Sequence, residues 1–135
     1  MIRAVAIALL LACTAAAAPL QGIGTDRLLE ALAQKETGLA WNGRPGPVGE
    51  LSRWQITLMV WRQHSREPFA IAARDEAKAR AVALAHLRWL DERIRAAGVT
   101  VTPERIATCW HYGASYARRQ TTWGTEVANL YQDSQ

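Results

Sequence analysis

Thr25-Asp26-Arg27-Leu28-Leu29-Glu30-Ala31-Leu32-Ala33-Gln34-Lys35-Glu36-Thr37-Gly38 is the stretch from which the chain is read outward. Its residues Leu29, Leu32, Ala33 and Glu36 fall at i, i+3, i+4 and i+7, which is one face of an α-helix. A helix is predicted from Thr25 or Asp26, with Gly38 marking its stop. The consequence is chemical. A carboxyl group continues an apolar stripe in the last turn of a helix.

Downstream, residues 39–55 are the least regular part of the chain. Asn42-Gly43, Pro45-Gly46-Pro47 and Gly49 are turn formers, so a loop or short β-hairpin near residues 40–55 is expected. Helical pattern resumes near Thr57, a candidate N-cap, with Leu58 and Trp61 expected to face inward and Pro68 to interrupt. The longest helix is predicted from an Asp75 cap to Ala97, with Gly98 at the stop. Its core stripe is Ala83, Leu87, Leu90 and Ile94, flanked by His86 and Trp89. Thr102-Pro103 opens another helix that ends near Tyr112-Gly113, and a last one from about Thr122 carries Trp123, Val127, Leu130 and Tyr131. The expectation is a small, mostly α domain of about five helices with one irregular excursion near its front.

Upstream, the order of residues differs in kind. Met1-Ile2-Arg3 is a positively charged start, Ala4 to Cys13 is an unbroken apolar run, and Thr14 to Ala18 are small. That order predicts a signal peptide over residues 1–18 and export to a periplasm or the extracellular space. The run is too short for a dependable membrane span. Ala15-Ala16-Ala17 satisfies the small-x-small rule for cleavage before Ala18. Leu10-Leu11-Ala12-Cys13 offers the alternative of a lipobox, with lipid anchoring at Cys13.

The predicted domain, residues 19–135, is about 117 residues long, enough for one core. Without Arg3 it holds fifteen Lys and Arg against twelve Asp and Glu. This mild positive balance suits a polyanionic envelope and lacks the concentrated basic stripe of nucleic-acid binders. Cys109 is the one cysteine of the domain, which excludes an internal disulfide; no metal or cofactor is implied.

Among the side chains able to do chemistry, Glu36 comes first. Removal from water disfavours a carboxylate and raises its pKa, and the partial negative charge at a helix C-terminus acts in the same direction. A carboxylic acid still protonated near neutral pH can protonate the leaving oxygen of a glycoside. The alternative is a solvated glutamate at a frayed helix end. His86 reads as a satisfied near-core residue, Cys109 as a buried thiol, and the arginine pairs at 93/95 and 118/119 as solvated faces. Trp41, beside the irregular loop, is a candidate sugar-stacking platform or a core residue.

Four segments together carry a family resemblance. Lys35-Glu36-Thr37-Gly38 resembles the Glu-Ser motif of soluble lytic transglycosylases and goose-type lysozymes. Pro47-Val48-Gly49-Glu50-Leu51-Ser52-Arg53-Trp54-Gln55-Ile56 resembles their Pro-Val-Gly-x-x-Gly-Leu-Met-Gln-Leu segment without a gap. Ala107-Thr108-Cys109-Trp110-His111-Tyr112-Gly113 is similar to the Ala-Tyr-Asn-Ala-Gly motif, and Trp123-Gly124-x-x-Val127 to a terminal Tyr-Val-x-x-Val helix. The pieces stand in the family's order over about residues 25–131. The departures are Ser52-Arg53 for Gly-Leu, Trp54 for Met, and Trp110-His111 for Tyr-Asn.

The resemblance implies a lysozyme-like fold and cleavage of the β-1,4 bond between N-acetylmuramic acid and N-acetylglucosamine in peptidoglycan. Glu36 would be the general acid, with Gln55, Trp110 and His111 bordering the substrate. Glu50 occupies a position where the family has a small residue, and two roles stay open for it. It could be a second catalytic carboxylate, at about 5–5.5 Å for retention or about 6.5–9.5 Å for inversion, or a structural acceptor in the hairpin. Hydrolysis and transglycosylation also both stay open. The rival classes are a module that binds peptidoglycan without cutting it, and an envelope structural protein.

Overall fold

The computed structural model describes residues 20–135. The expected signal peptide, with its alternative lipobox at Cys13, lies outside the described residues.

Six α-helices are present among them: α1 (Thr25–Thr37), α2 (Leu58–His64), α3 (Phe69–Ala72), α4 (Glu76–Ala96), α5 (Pro103–Tyr112) and α6 (Thr122–Asp133). The chain is mostly α-helical, as the periodicities require. Local chemistry explains most boundaries. The Thr57, Asp75, Thr102 and Thr121 side chains each accept a backbone N–H from the first turn of the helix they precede, satisfying a donor that has no helical partner. Pro103 sits at the start of α5, where its missing N–H removes no bond. Gly38, Gly98 and Gly113 follow α1, α4 and α5 with positive φ, which closes the last turn.

Two short elements add to the five predicted helices. α3 is a single turn begun by Pro68, whose carbonyl accepts the Ala72 N–H at 2.9 Å, and a 3-10 turn spans Ala114–Tyr116. Neither is long enough to display a hydrophobic period. Leu58 corrects another expectation. It is 40% exposed and lines a surface cleft with Trp61 and Phe69, so the buried Trp61, with partly buried Val60, anchors the two-turn α2.

α4 is the spine. Ala83, Leu87, Leu90 and Ile94 are fully buried along one face, and α1, α2 and α5 pack against it. α5 and α6 form the tightest helix pair. A Cβ on Gly124 would lie 2.7 Å from the Glu104 carbonyl and would clash with the Thr108 hydroxyl, so the crossing requires a residue without one. α6 also closes on α1. The Tyr131 hydroxyl accepts the Gly24 N–H at 3.0 Å, and the Arg27 guanidinium lies 4.1 Å from the Tyr131 ring centroid.

Residues 39–57 leave the helical frame. Gly49 donates to the Gly46 carbonyl and Gly46 donates to the Glu50 carbonyl, making one tight turn; Leu51 and Ile56 then form an antiparallel bridge around a second. The expected excursion is therefore two consecutive turns with a minimal hairpin. Substitution Gly124→Ala is expected to destabilise the protein by about 2 kcal/mol through overpacking against backbone, read as a lower urea midpoint with an unchanged m-value.

Candidate functional site

The hairpin is held against the end of α1 by three contacts. The Trp54 indole N–H donates to the Leu29 carbonyl at 2.9 Å, and Trp54 is buried beside Leu51 and Ile56. The Thr37 hydroxyl bonds the Arg53 carbonyl at 3.0 Å and the Ala33 carbonyl at 3.1 Å, joining the residue after Glu36 to the hairpin tip. Arg53 reaches Glu30 on α1 at 2.7 Å.

Between these parts opens a cleft of about 340 Å³. Glu36, Trp41, Asn42, Arg44, Gly46 and Gln55 are among its walls. Three of the residues singled out from sequence, Glu36, Gln55 and Trp41, are thus brought together. Glu50 stands behind Gly46: its carboxylate accepts the Val48 N–H at 2.9 Å, and a Cβ on Gly46 would lie 2.9 Å from its carboxyl carbon and against the Gln55 side-chain oxygen. Glu50 is thus an acceptor in the hairpin, which is one of the two roles left open for it, and its charge also acts on Glu36.

The Glu36 carboxyl is pushed up from an ordinary 4.5 to about 7. Burial is the main cause, and the negative charge of Glu50 adds to it. The Trp110 indole N–H, donated to Glu36, acts the other way, as does the positive charge of Lys35. Lys35 is also engaged by Glu126 of α6 in an ion pair. Burial and Glu50 prevail, so much of Glu36 is a protonated acid at neutral pH.

Trp110 is itself fixed from behind. The buried His86 ring meets it edge-on at 5.3 Å and stacks on Trp89 at 5.4 Å, while His64 Nε2 and His86 Nδ1 lie 3.1 Å apart. Burial, then the His64 charge, lowers His86 to about 4, so this pair is neutral at physiological pH. The sequence reading of His86 as near-core holds, and its packing positions Trp110. His111 lies elsewhere. It is exposed overall and stacks on Trp123 at 4.6 Å; partial burial of its ring, then the charge of Lys35, lowers its pKa, and it does not line the cleft with Glu36. Residues one apart on a helix point about 100° apart, so Trp110 and His111 turn to different neighbours; neither is among the residues lining the cleft, where both were expected.

Trp41 is a fixed wall. Its indole N–H donates to the Arg44 carbonyl at 2.8 Å, and the Arg74 guanidinium lies 5.8 Å from its ring centroid. Thr37 and Arg74 carried no role in the sequence reading. Thr37 follows directly on Glu36, which was the available signal, but Arg74 reaches the site only through a contact between distant segments. Cys109 is buried, and burial raises its thiol, which matches an inert role. Comparison with protein-family models, curated proteins and solved structures finds no match to this chain.

The Glu36 shift carries a stability consequence. The folded-state pKa lies above the unfolded one, so this group's contribution is full below pH 4.5 and is lost as pH rises to about 7. That loss is on the order of 3 kcal/mol. Substitution Glu36→Gln keeps an acceptor for Trp110 and removes the ionisation. It is expected to exceed the wild type in stability at pH 8 by about 1–3 kcal/mol and to differ little at pH 4. Urea melts at both pH values test this; a pH-independent difference would mean that Glu36 ionises normally.

Proposed function

We propose that this protein cleaves the β-1,4 bond between N-acetylmuramic acid and N-acetylglucosamine in peptidoglycan glycan strands, in the manner of the lysozyme-like transglycosylases and muramidases. The observation that carries this reading is a glutamic acid with a pKa of about 7 on the wall of an open cleft. Its place at the end of α1, facing the Glu50–Gln55 segment, is the arrangement that the sequence resemblance implies.

The chemistry follows from the protonation state. Glu36 donates its proton to the glycosidic oxygen as the C1–O bond breaks, and positive charge develops on the sugar ring. The resulting Glu36 carboxylate, with Glu50 nearby, stabilises that charge. It then accepts a proton from the attacking group. Attack by the muramyl 6-hydroxyl gives a 1,6-anhydro end, and attack by water gives a reducing end. Gln55 and the Trp41 ring supply hydrogen-bonding and stacking surfaces for the sugars. The reading places the protein outside the cytoplasm, where glycan strands are found.

One observation favours a second reading, a module that binds glycan without cutting it. His111, at the position where the resembled motif has its substrate-bordering Asn, is stacked on Trp123 outside the cleft walls. Incubation of residues 19–135 with purified peptidoglycan separates the two. Release of soluble muropeptides by the wild type, reduced at least about 100-fold in Glu36→Gln, is expected for a catalytic acid. Equal release by the variant would sink the role given to Glu36, and sedimentation with peptidoglycan without release would favour the binding module. Mass analysis of the ends distinguishes transglycosylation from hydrolysis.

The acid must be protonated to act, so kcat/KM is expected to fall as pH rises through about 7, about tenfold per unit beyond it. A pH–rate profile with its alkaline limb below pH 5.5 would place the proton donor elsewhere.

A further inference from the structure

A second concavity of about 300 Å³ adjoins the Glu36 cleft, and Ala40 and Trp41 belong to the walls of both. Leu39, Trp41, Arg53, Trp54, Arg74 and Glu76 contribute to this second site. Its two cations differ. Arg53 is held between Glu30 at 2.7 Å and Glu76 at 3.6 Å, so its charge is answered. Arg74 has no carboxylate partner among the described residues. Its guanidinium is fixed instead by neutral carbonyls, that of Gly43 at 2.8 Å and that of Ala70 at 3.2 Å. A guanidinium held by neutral acceptors keeps its full charge and directs its remaining N–H groups at a set angle, the geometry that suits a carboxylate.

We infer that the pocket bounded by Trp41, Trp54 and Arg74 is a carboxylate-recognising subsite for a substituent on the glycan strand bound beside Glu36. The inference rests on the glycan-strand reading and deepens it. Trp41 forms the shared rim, so a sugar against its ring projects a side group to the Arg74 side while the adjoining bond lies toward Glu36. Leu39, 91% exposed, supplies apolar surface for the carbon skeleton of that group, above a floor closed by the buried Trp54. Two parts of a muramyl strand offer the required chemistry: the lactyl carboxylate where no peptide is attached, and the peptide's own carboxylates where one is.

Calorimetric titration of the Glu36→Gln protein, which prevents turnover, tests the inference with three tetrasaccharides. The first alternates N-acetylglucosamine with N-acetylmuramic acid bearing free lactyl groups. The second is the same strand with Ala-Glu dipeptides amide-linked to each lactyl group, and the third is the uncharged tetramer of N-acetylglucosamine. Adding Arg74→Gln is expected to weaken at least one of the two charged ligands by about five- to tenfold and the uncharged one by less than about twofold. Loss confined to the first identifies the lactyl carboxylate, and loss confined to the second identifies the peptide. Arg74→Lys, which also forfeits the paired carbonyl contacts but keeps the charge, is expected to retain more affinity for that charged ligand than Arg74→Gln.

Equal weakening of all three ligands would assign Arg74 a purely structural role through Gly43 and overturn the inference. So would no change in any, or a lysine variant as weak as the glutamine one. Failure of the parent to bind any of the three overturns it together with the glycan reading. Selective loss at Arg74, alongside peptidoglycan release that persists in Glu36→Gln, would keep the subsite and remove the proposed acid.

Discussion

The hydrogen bond from the Trp54 indole to the Leu29 carbonyl is the contact on which the site depends. A six-residue hairpin closed by one bridge has little stability of its own, and this one carries two non-glycine residues at positive φ, Ser52 at 74° and Gln55 at 47°. Each such residue costs on the order of 1 kcal/mol. Burying the Trp54 ring contributes roughly 2–3 kcal/mol, and the satisfied N–H avoids the penalty of a buried donor without a partner. The strain is therefore carried by one anchored side chain. Because Thr37 joins the same hairpin to the turn after Glu36, the acid and the wall opposite it are parts of one unit.

That unit creates an electrostatic conflict at Glu36, and its resolution gives the acid its character. Placing the carboxyl under the hairpin removes water, and Glu50 brings a like charge; both favour the protonated form. The Trp110 donor and Lys35 favour the carboxylate. Had the hairpin left Glu36 open to water, the balance would return toward an ordinary glutamate. Trp110 is itself packed edge-on against His86, which stacks on Trp89.

Much of this was legible in the sequence for local reasons. The caps at Asp75 and Thr102, the buried stripe of α4 and the end of α1 at Gly38 depend on neighbours a few residues away, and they appear where the pattern puts them. The turn formers between Asn42 and Gly49 likewise foretold an excursion. Its register was not legible, because it is set by Trp54 reaching Leu29, 25 residues distant. Ser52 illustrates the limit: it stands where the resembled segment has glycine, and only its positive φ explains why glycine suits that position. Trp110 and His111 part because burial of Ile106, Ala107 and Cys109 sets the rotation of α5: Trp110 packs on His86 and His111 on Trp123, and neither lines the cleft.

The loop carrying Trp41 shows how two local hydrogen bonds and one long-range one fix the shape of an irregular segment. Asn42 accepts the Arg44 N–H at 2.9 Å, Trp41 donates to the Arg44 carbonyl, and Arg74 takes the Gly43 carbonyl from the end of α3. A loop tied at three successive residues loses little conformational freedom when a ligand arrives, so less of the interaction energy is spent on ordering it. The ring is thereby presented as a fixed partition, with an acid on one side and a cation on the other. For a linear polymer such a partition sets register: stacking alone tolerates sliding, whereas stacking combined with a charge on the far side admits only sugars with a matching substituent. On the proposed reading, selection of one bond among many similar ones comes from the partition, and the breaking of that bond from Glu36.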